Sequence, residues 1–418
     1  MKISIKYEVL DKALNTLLPV ATDKLLADNL KNVTLHIKED VSKLIAVNTQ
    51  ITSAVDVSVI CEGFDEVMPN EEGVREEFVQ FKANELKDIL ATFKGLQRTK
   101  VSKVVIIPDL NHSVLEIHEE PADSDIPNAD KYKRVTKFKV ARLQVRSIFL
   151  KDIRSVEKAP EVDVEVESCD LSLYINSLLP LINADKRESF NSIYLSPKYI
   201  YATLPSYIAL LPNDFKDAFE EKGIIIECLE GFKLQNNKAS FLKTFISDVE
   251  KVGITKTINE RGGVIFTVVK EGALASIKCP DLTKVRDITN DVEALNDVPY
   301  VKIDKVYLLD VLKRVKLTSD VINVHVNTES GLMTLNSKTM KLDVPILAVE
   351  GLEGVYSFQL KADIVGSLVF AHTNDFSDVV HIGFKEENNS VTMVCNDEIA
   401  MWKTIIKGLP KNTLNAEW

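Results

Sequence analysis

The sequence predicts an α+β chain of three similar domains, each with two helices packed on antiparallel sheets. Three observations carry this: a repeated segment, a recurring order of hydrophobic periodicities, and helix entries that match from repeat to repeat. Leu14-Asn15-Thr16-Leu17-Leu18-Pro19-Val20 returns as Ile175-Asn176-Ser177-Leu178-Leu179-Pro180-Leu181, and both lead within a few residues to Asp-Lys, at Asp23-Lys24 and Asp185-Lys186. A looser third copy, Tyr307 to Lys316, runs into Leu317-Thr318-Ser319-Asp320, the counterpart of Val20-Ala21-Thr22-Asp23. Divided by three, the 418 residues give about 139 per unit, inside the usual domain range. The boundaries are expected at 1–164, 165–297 and 298–418, the last with a short C-terminal extension.

Each repeat has the same internal plan. In the first, Val9, Leu10, Ala13, Leu14, Leu17 and Leu18 fall at helical spacing and leave Glu8, Lys12, Asn15 and Pro19 on the opposite face. Strands rich in Val, Ile and Thr follow at 32–37 and 44–59. A second helix spans about 82–94, with Leu86, Ile89, Leu90 and Phe93 inward, and strands return at 103–108, 113–118 and 134–148. The middle repeat places its helices at about 170–183 and 236–251, with strands at 192–211 and 263–278. The last places helices at 305–316 and 361–372, with strands at 321–347 and 379–406. Phe81-Lys82-Ala83-Asn84, Leu234-Gln235-Asn236-Asn237 and Leu360-Lys361-Ala362-Asp363 each pair an apolar strand residue with an Asn or Asp suited to N-capping.

Composition is that of a soluble, cytoplasmic protein, with 45% hydrophobic and 27% charged residues and no apolar run near the roughly 18 residues of a membrane span. Five scattered cysteines (61, 169, 228, 279, 395) contain no Cys-x-x-Cys pair, which argues against a disulfide framework or a zinc site. The formal charge is -11 but unevenly spread: residues 82–103 are net +4, 302–316 net +3 and 232–251 net +2, whereas 212–230 are net -4. One basic surface inside an acidic whole is expected.

Two helices on antiparallel sheets, three times over, resemble the DNA sliding clamps of the three-domain bacterial type. Val355-Tyr356-Ser357-Phe358-Gln359-Leu360-Lys361-Ala362-Asp363-Ile364-Val365-Gly366-Ser367-Leu368 is similar to that family's strand and second helix of the final domain. Ala202-Thr203-Leu204-Pro205-Ser206-Tyr207-Ile208-Ala209 is similar in position to its Ala-Thr-Asp-Gly-His-Arg-Leu-Ala segment, keeping the outer residues and losing the polar centre. The chain is longer than the usual bacterial member, as expected of a divergent one, bacterial or viral; for a viral one the cytoplasm is the host's.

The resemblance implies a head-to-tail homodimer closed into a ring, helices lining the hole and sheets outside, that encircles double-stranded DNA without sequence readout and tethers the replicative polymerase as a processivity factor. Duplex DNA carries a negative charge about every 1.7 Å, so a few inward cations suffice to centre it. The implied DNA-binding candidates are Lys12, Lys24, Lys87, Lys94, Arg98, Lys100, Lys186, Arg187, Lys238, Lys243, Lys305, Lys313, Arg314 and Lys316. For each singly, a solubilising surface lysine is the bland alternative. The resemblance also implies a cleft for short peptide motifs of the polymerase and clamp loader, walled by Thr203, Pro205, Ser206, Tyr207 and Ile208 and closed by Thr404, Ile405 and Ile406. Ordinary core packing of Tyr207 and Ile208 is the competing reading. No cofactor is implied.

Residues 131–158 carry ten basic residues against Asp152 and Glu157 and lie outside this picture. The alternation Lys137-Phe138-Lys139-Val140 suits an edge strand whose lysines discourage unwanted pairing. A DNA contact, or a match to an acidic subunit surface, are the alternatives. The chain lacks the Gly-x-x-x-x-Gly-Lys, Gly-x-Ser-x-Gly and His-Glu-x-x-His patterns, so no catalytic function is expected. His112 and His118 flank Glu116, but no third metal ligand is evident. The competing functional reading is a non-enzymatic β-rich coat or scaffold protein, which predicts neither the threefold repeat nor the basic helices. A hydrolase or transferase with an unrecognised site would instead require a pocket of clustered titratable groups.

Overall fold

The periodicities become elements in the expected order in the computed structural model. It describes residues 1–22, 27, 31–39, 41–71, 73–109, 112–123, 129–143, 145, 147–184, 190–196, 198–204, 207–212, 231–258, 263–280, 288–293, 295, 297–319, 321–361, 378–387, 390–397 and 403–407. The first repeat runs β1 (Lys2–Lys6), α1 (Tyr7–Ala21), β2 (Asn32–Lys38), β3 (Ser42–Val47), β4 (Ile51–Val57), β5 (Val59–Glu62), β6 (Glu76–Lys82), α2 (Ala83–Ala91), β7 (Thr99–Pro108), β8 (His112–Pro121), β9 (Arg134–Ala141) and α3 (Ser147–Ser155). The second runs β10 (Val164–Glu167), α4 (Ser168–Ala184), β11 (Ser192–Leu195), β12 (Tyr199–Leu204), β13 (Tyr207–Pro212), β14 (Phe232–Gln235), α5 (Asn236–Ile246), β15 (Lys251–Ile258), β16 (Val264–Lys270), β17 (Ala273–Cys279) and α6 (Thr289–Glu293). The third runs β18 (Tyr300–Asp304), α7 (Lys305–Lys316), β19 (Val321–Asn327), β20 (Leu332–Asn336), β21 (Lys341–Glu350), β22 (Val355–Lys361), β23 (Val379–Glu387), β24 (Ser390–Asp397) and β25 (Lys403–Lys407).

The chain divides into two compact units. Unit 1 is Met1–Val166 with Thr244–Asn259 and Ile265–Lys278; unit 2 is Glu167–Lys243 with Glu260–Val264 and Cys279–Trp418. Unit 1 holds a five-stranded sheet, order β5-β1-β7-β8-β9, and an eight-stranded sheet, order β10-β15-β16-β17-β4-β3-β2-β6. Unit 2 is built on a twelve-stranded sheet, order β14-β11-β12-β13-β25-β24-β23-β18-β21-β20-β19-β22.

In unit 1, α1 packs on β3 and β4 through Leu10, Ala13, Leu14, Leu17, Val20 and Ala21, all buried. Tyr7 ties it to α2 by donating its hydroxyl to the Leu90 carbonyl at 2.9 Å. In unit 2, α4 repeats the pattern, with Leu171, Ile175, Leu178, Leu181 and Ile182 buried above β11 and β12. α7 begins at the N-cap Asp304, whose carboxylate accepts from the Tyr307 N–H at 2.7 Å, and buries Leu308, Leu309, Val311, Leu312 and Val315.

Two expectations are corrected. The strand expected over 134–148 stops at Ala141, and Ser147–Ser155 is a helix, because Ile153 and Val156 pack into the sheet among Ile45, Ala54 and Leu274. The helix expected over 236–251 ends at Ile246 and the chain is a strand again from Lys251. The helix expected at 361–372 lies outside the described residues beyond Lys361, which ends β22.

Gly253 is fixed by a close approach. A Cβ there would lie 2.7 Å from both γ-methyls of Val162. Val162 cannot yield freely, since the Asp163 carboxylate accepts from the Thr255 hydroxyl at 2.6 Å and from the Lys256 N–H at 3.3 Å. Gly253→Ala is therefore expected to destabilise unit 1 by about 1–3 kcal/mol through overpacking, read from the urea midpoint; an unchanged midpoint would mean that residues 159–163 shift at no cost.

Candidate nucleic-acid interface and partner cleft

The helices set which of the expected cations reach solvent. On α1, Lys12 lies opposite the buried leucines and is exposed, but its ammonium sits 3.4 Å from the Asp248 carboxylate. Just past the end of α2, Lys94 pairs with Asp11 at 2.9 Å, and the hydrogen bond to Asp11 raises the Lys94 pKa. Burial alone would raise the Asp248 pKa, yet the hydrogen bonds from Lys270 and Lys12 outweigh it and the net direction is downward. Lys87, Arg98, Lys100 and Lys243 are exposed and make no ion pair among the described residues. Lys313, Arg314 and Lys316 occupy the last turn of α7, where cations complement the carbonyl end of the helix dipole; Lys313 also lies 3.8 Å from Asp310.

Two of the expected cations point inward. Lys238 is 2% exposed and Lys305 5%, so neither presents its charge to a passing polyanion. Burial lowers the Lys238 pKa against the opposing field of Cys279, and burial pushes the Cys279 thiol up to about 12. Lys24, Lys186 and Arg187 lie outside the described residues. Of the basic segment 131–158, β9 is the end strand of its sheet, with Lys137 and Lys139 outward and Val140 buried, as the alternation suggested. Lys137 pairs with Glu116 at 2.7 Å and Arg142 with Glu77.

Six of the residues expected to wall a peptide cleft, Thr203, Tyr207, Ile208, Thr404, Ile405 and Ile406, lie on the neighbouring strands β12, β13 and β25. β13 pairs with β25 antiparallel, Tyr207 opposite Ile406, Ile208 opposite Ile405 and Ala209 opposite Thr404. Ile208 and Tyr199 are half-buried against a core of Tyr194, Tyr201, Leu210, Ile288, Val292, Leu295 and Val394, and the rings of Tyr194 and Tyr201 stack at 5.0 Å. Thr203 is half-buried on β12; Pro205 and Ser206 lie outside the described residues. The sequence reading missed the three tyrosines of β11 and β12, although Tyr194 and Tyr199-Ile200-Tyr201 mark those strands as unusually aromatic.

The same strand-addition joint occurs twice. The last strand of the second repeat, β17, adds to β4 of the first, Ala273 opposite Val55 through Ile277 opposite Ile51. The last strand of the third repeat, β25, adds to β13 of the second. No protein-family model matches the sequence, and none of the curated proteins matches it. Solved structures do. A putative DNA polymerase III beta subunit from Eubacterium rectale is 14% identical, covering 99% of this chain and 100% of its own, with a TM-score of 0.68. The DNA polymerase sliding clamp from Pseudomonas aeruginosa is 13% identical over 98% of this chain and 99% of its own, at 0.68. The DNA polymerase III subunit beta from Borrelia burgdorferi is 11% identical over 98% of both, at 0.70. The chain has the sliding-clamp fold. Within that fold, strand addition at β17–β4 and β13–β25 is how this clamp-fold chain makes its sheets run on from one repeat into the next. No helix among the described residues is long and apolar enough to cross a membrane.

Proposed function

We propose that this protein is a DNA sliding clamp: a cytoplasmic, non-catalytic processivity factor that closes head to tail with a second copy, encircles duplex DNA and tethers a polymerase. The observation that carries this is the repeated joint. Each repeat, 1–164, 165–297 and 298–418, supplies a last strand and a hairpin strand, and two such pairs are matched within the chain. One of each is left over. Among the described residues β9 pairs with β8 alone, and β21 pairs with β20 through Lys341–Pro345 and with β18 only beyond that, through Ile346–Glu350. A second copy of the chain supplies the missing strand to each, which gives a closed two-chain ring with different surfaces on the two partners.

Cations of the helices and the turns after them then face the duplex. Lys87, Arg98, Lys100, Lys243, Arg314 and Lys316, which make no ion pair among the described residues, contribute most, while Lys12, Lys94 and Lys313, already shared with carboxylates, contribute less. Lys24, Lys186 and Arg187 complete the set by sequence. Such a thin lining in a chain of charge -11 favours loose, sequence-independent sliding over tight binding. Polymerase and loader peptides dock beside β13 and β25, where Tyr207 and Ile208 stand opposite Ile406 and Ile405 and Thr203 lies on the neighbouring β12, with Thr404 on β25; Pro205 and Ser206 complete the set by sequence.

The test is topological. Protein loaded on nicked circular DNA is expected to stay through gel filtration at moderate salt and to leave within minutes once the circle is linearised. Equal retention on circles and on linear DNA with free ends would sink the reading.

A further inference from the structure

The two internal joints and the open edge of β21 differ in backbone chemistry. In the β4 joint the Asp56 N–H donates to the Gly272 carbonyl at 2.7 Å and the Lys278 N–H to the Gln50 carbonyl at 2.8 Å. None of the residues paired in either joint is proline. On β21, the Ile346 N–H donates toward the β20 side, to the Gly331 carbonyl at 2.9 Å. Main-chain groups of successive residues in a strand point to opposite sides, so Lys341, Asp343 and Pro345 aim theirs at the open edge. Pro345 has no N–H to offer there. The Asp343 carbonyl is already taken, by the Tyr307 hydroxyl of α7 at a long 3.4 Å. What remains is both groups of Lys341, the Asp343 N–H and the Pro345 carbonyl.

Resting on the ring reading above, we infer that Tyr307 and Pro345 guard the edge of β21, so that β9 of a second copy closes on it more weakly and more reversibly than the internal joints close. Pro345 is a fixed guard: it withholds a donor from the incoming strand permanently. Tyr307 is a removable one. Its ring is half in solvent, 49% exposed, and its hydroxyl must leave the Asp343 carbonyl before an incoming N–H takes that place. The occupant is a second copy because the chain carries one open β9 edge for one open β21 edge. A ring that has to be placed on unbroken DNA needs one joint that parts while the others hold. Proline and an acceptor-capping tyrosine at that joint accomplish this without altering the folded subunit.

Sedimentation velocity over a dilution series tests it with the full chain, comparing wild type with Pro345→Val and Tyr307→Phe. One net backbone hydrogen bond is worth about 0.5–1.5 kcal/mol, so each variant is expected to tighten self-association roughly 2- to 10-fold, and the double variant more. Circular dichroism and monomer unfolding should match wild type; where Pro345→Val fails to fold, Tyr307→Phe alone decides, because its hydroxyl lies at the surface. Unchanged or weaker association of correctly folded variants, in a wild type that dimerises and holds circular DNA, overturns the guard and leaves the clamp standing. A wild type that neither dimerises nor prefers circles overturns both.

Discussion

Replacing Glu76 with alanine is expected to destabilise unit 1 by about 2–4 kcal/mol and to loosen α3 from its sheet. Glu76 is a hub. One carboxylate oxygen lies 3.0 Å from His36 Nε2, and the other accepts from Arg154 of α3 at 2.9 Å and from Asn70 at 3.0 Å. His36 is 2% exposed, stacked on Phe78 at 4.3 Å, with Glu157 3.8 Å from its Nδ1. Glu157 in turn pairs with Lys38 at 2.6 Å. His36, Glu76 and Glu157 are close enough to hold a metal ion, but Arg154 and Lys38 already answer the two carboxylates. Removing Glu76 leaves a buried imidazole without its partner, and an unsatisfied buried polar group is the costly outcome. Arg154 is half exposed and adds little.

The same cluster fixes the pH dependence. Burial lowers the His36 pKa despite the hydrogen bond to Glu76. Burial would raise Glu76, but hydrogen bonds from Asn70, His36 and Arg154 bring it below the ordinary carboxylate value. Both folded-state values are depressed, so the unfolded chain binds more protons and stability falls with pH. The loss begins as pH drops through about 6.5, the unfolded histidine value, and continues below the carboxylate range. Urea midpoints of wild type should decline across that window, with hydrogen exchange over Ser147–Val156 rising first. Glu76→Ala keeps the histidine part, since Glu76 no longer opposes the lowering of the His36 pKa, and is expected to decline less only below about 4.3, where the carboxylate part is gone. A parallel decline in both proteins below that pH would remove the cluster from the explanation.

The parts that could be read ahead of the structure are those whose partners are near in sequence. Leu14, Leu17 and Leu178 announce α1 and α4 by spacing alone, and Lys305–Lys316 forms a helix over the expected residues. What a cation does there depends on residues far along the chain. Asp248 lies 236 positions from Lys12, and nothing in either segment reveals that they meet. Lys238 and Lys305 show the limit of periodicity: both stand on helices with a solvent face, but each falls on the packed side. α3 is hidden because Lys137-Phe138-Lys139-Val140 alternates so clearly that the strand pattern carries past Ala141. Its own helical signal, Leu150, Ile153 and Val156, has a three-residue spacing short enough to pass for noise. The meeting of β13 with β25 was legible only through the family resemblance; the register itself comes from the joint.

Phe245→Ala is expected to cost unit 1 about 3–5 kcal/mol, among the larger single losses available in this chain. Phe245 is on α5 and 0% exposed. The Lys270 ammonium stands 4.8 Å from its ring centroid, donates to the Phe245 carbonyl at 2.7 Å and pairs with Asp248 at 2.5 Å. Asp248 then reaches Lys12 on α1. The truncation opens a cavity and also strips the aromatic face from a lysine that is 7% exposed, so two effects are superposed. Phe245→Leu separates them: it fills most of the volume while removing the π face, and is expected to retain more than half of the lost stability if the cavity dominates. A double-mutant cycle of Phe245→Ala with Lys12→Ala in urea unfolding reads the chain of contacts to the proposed DNA face. Lys12 is largely in solvent, so a coupling within about 0.5 kcal/mol of zero would mean that the core sets the position of α5 and leaves Lys12 free to turn toward DNA. A larger coupling would mean that Lys12 is held by Asp248 and is spent on the fold.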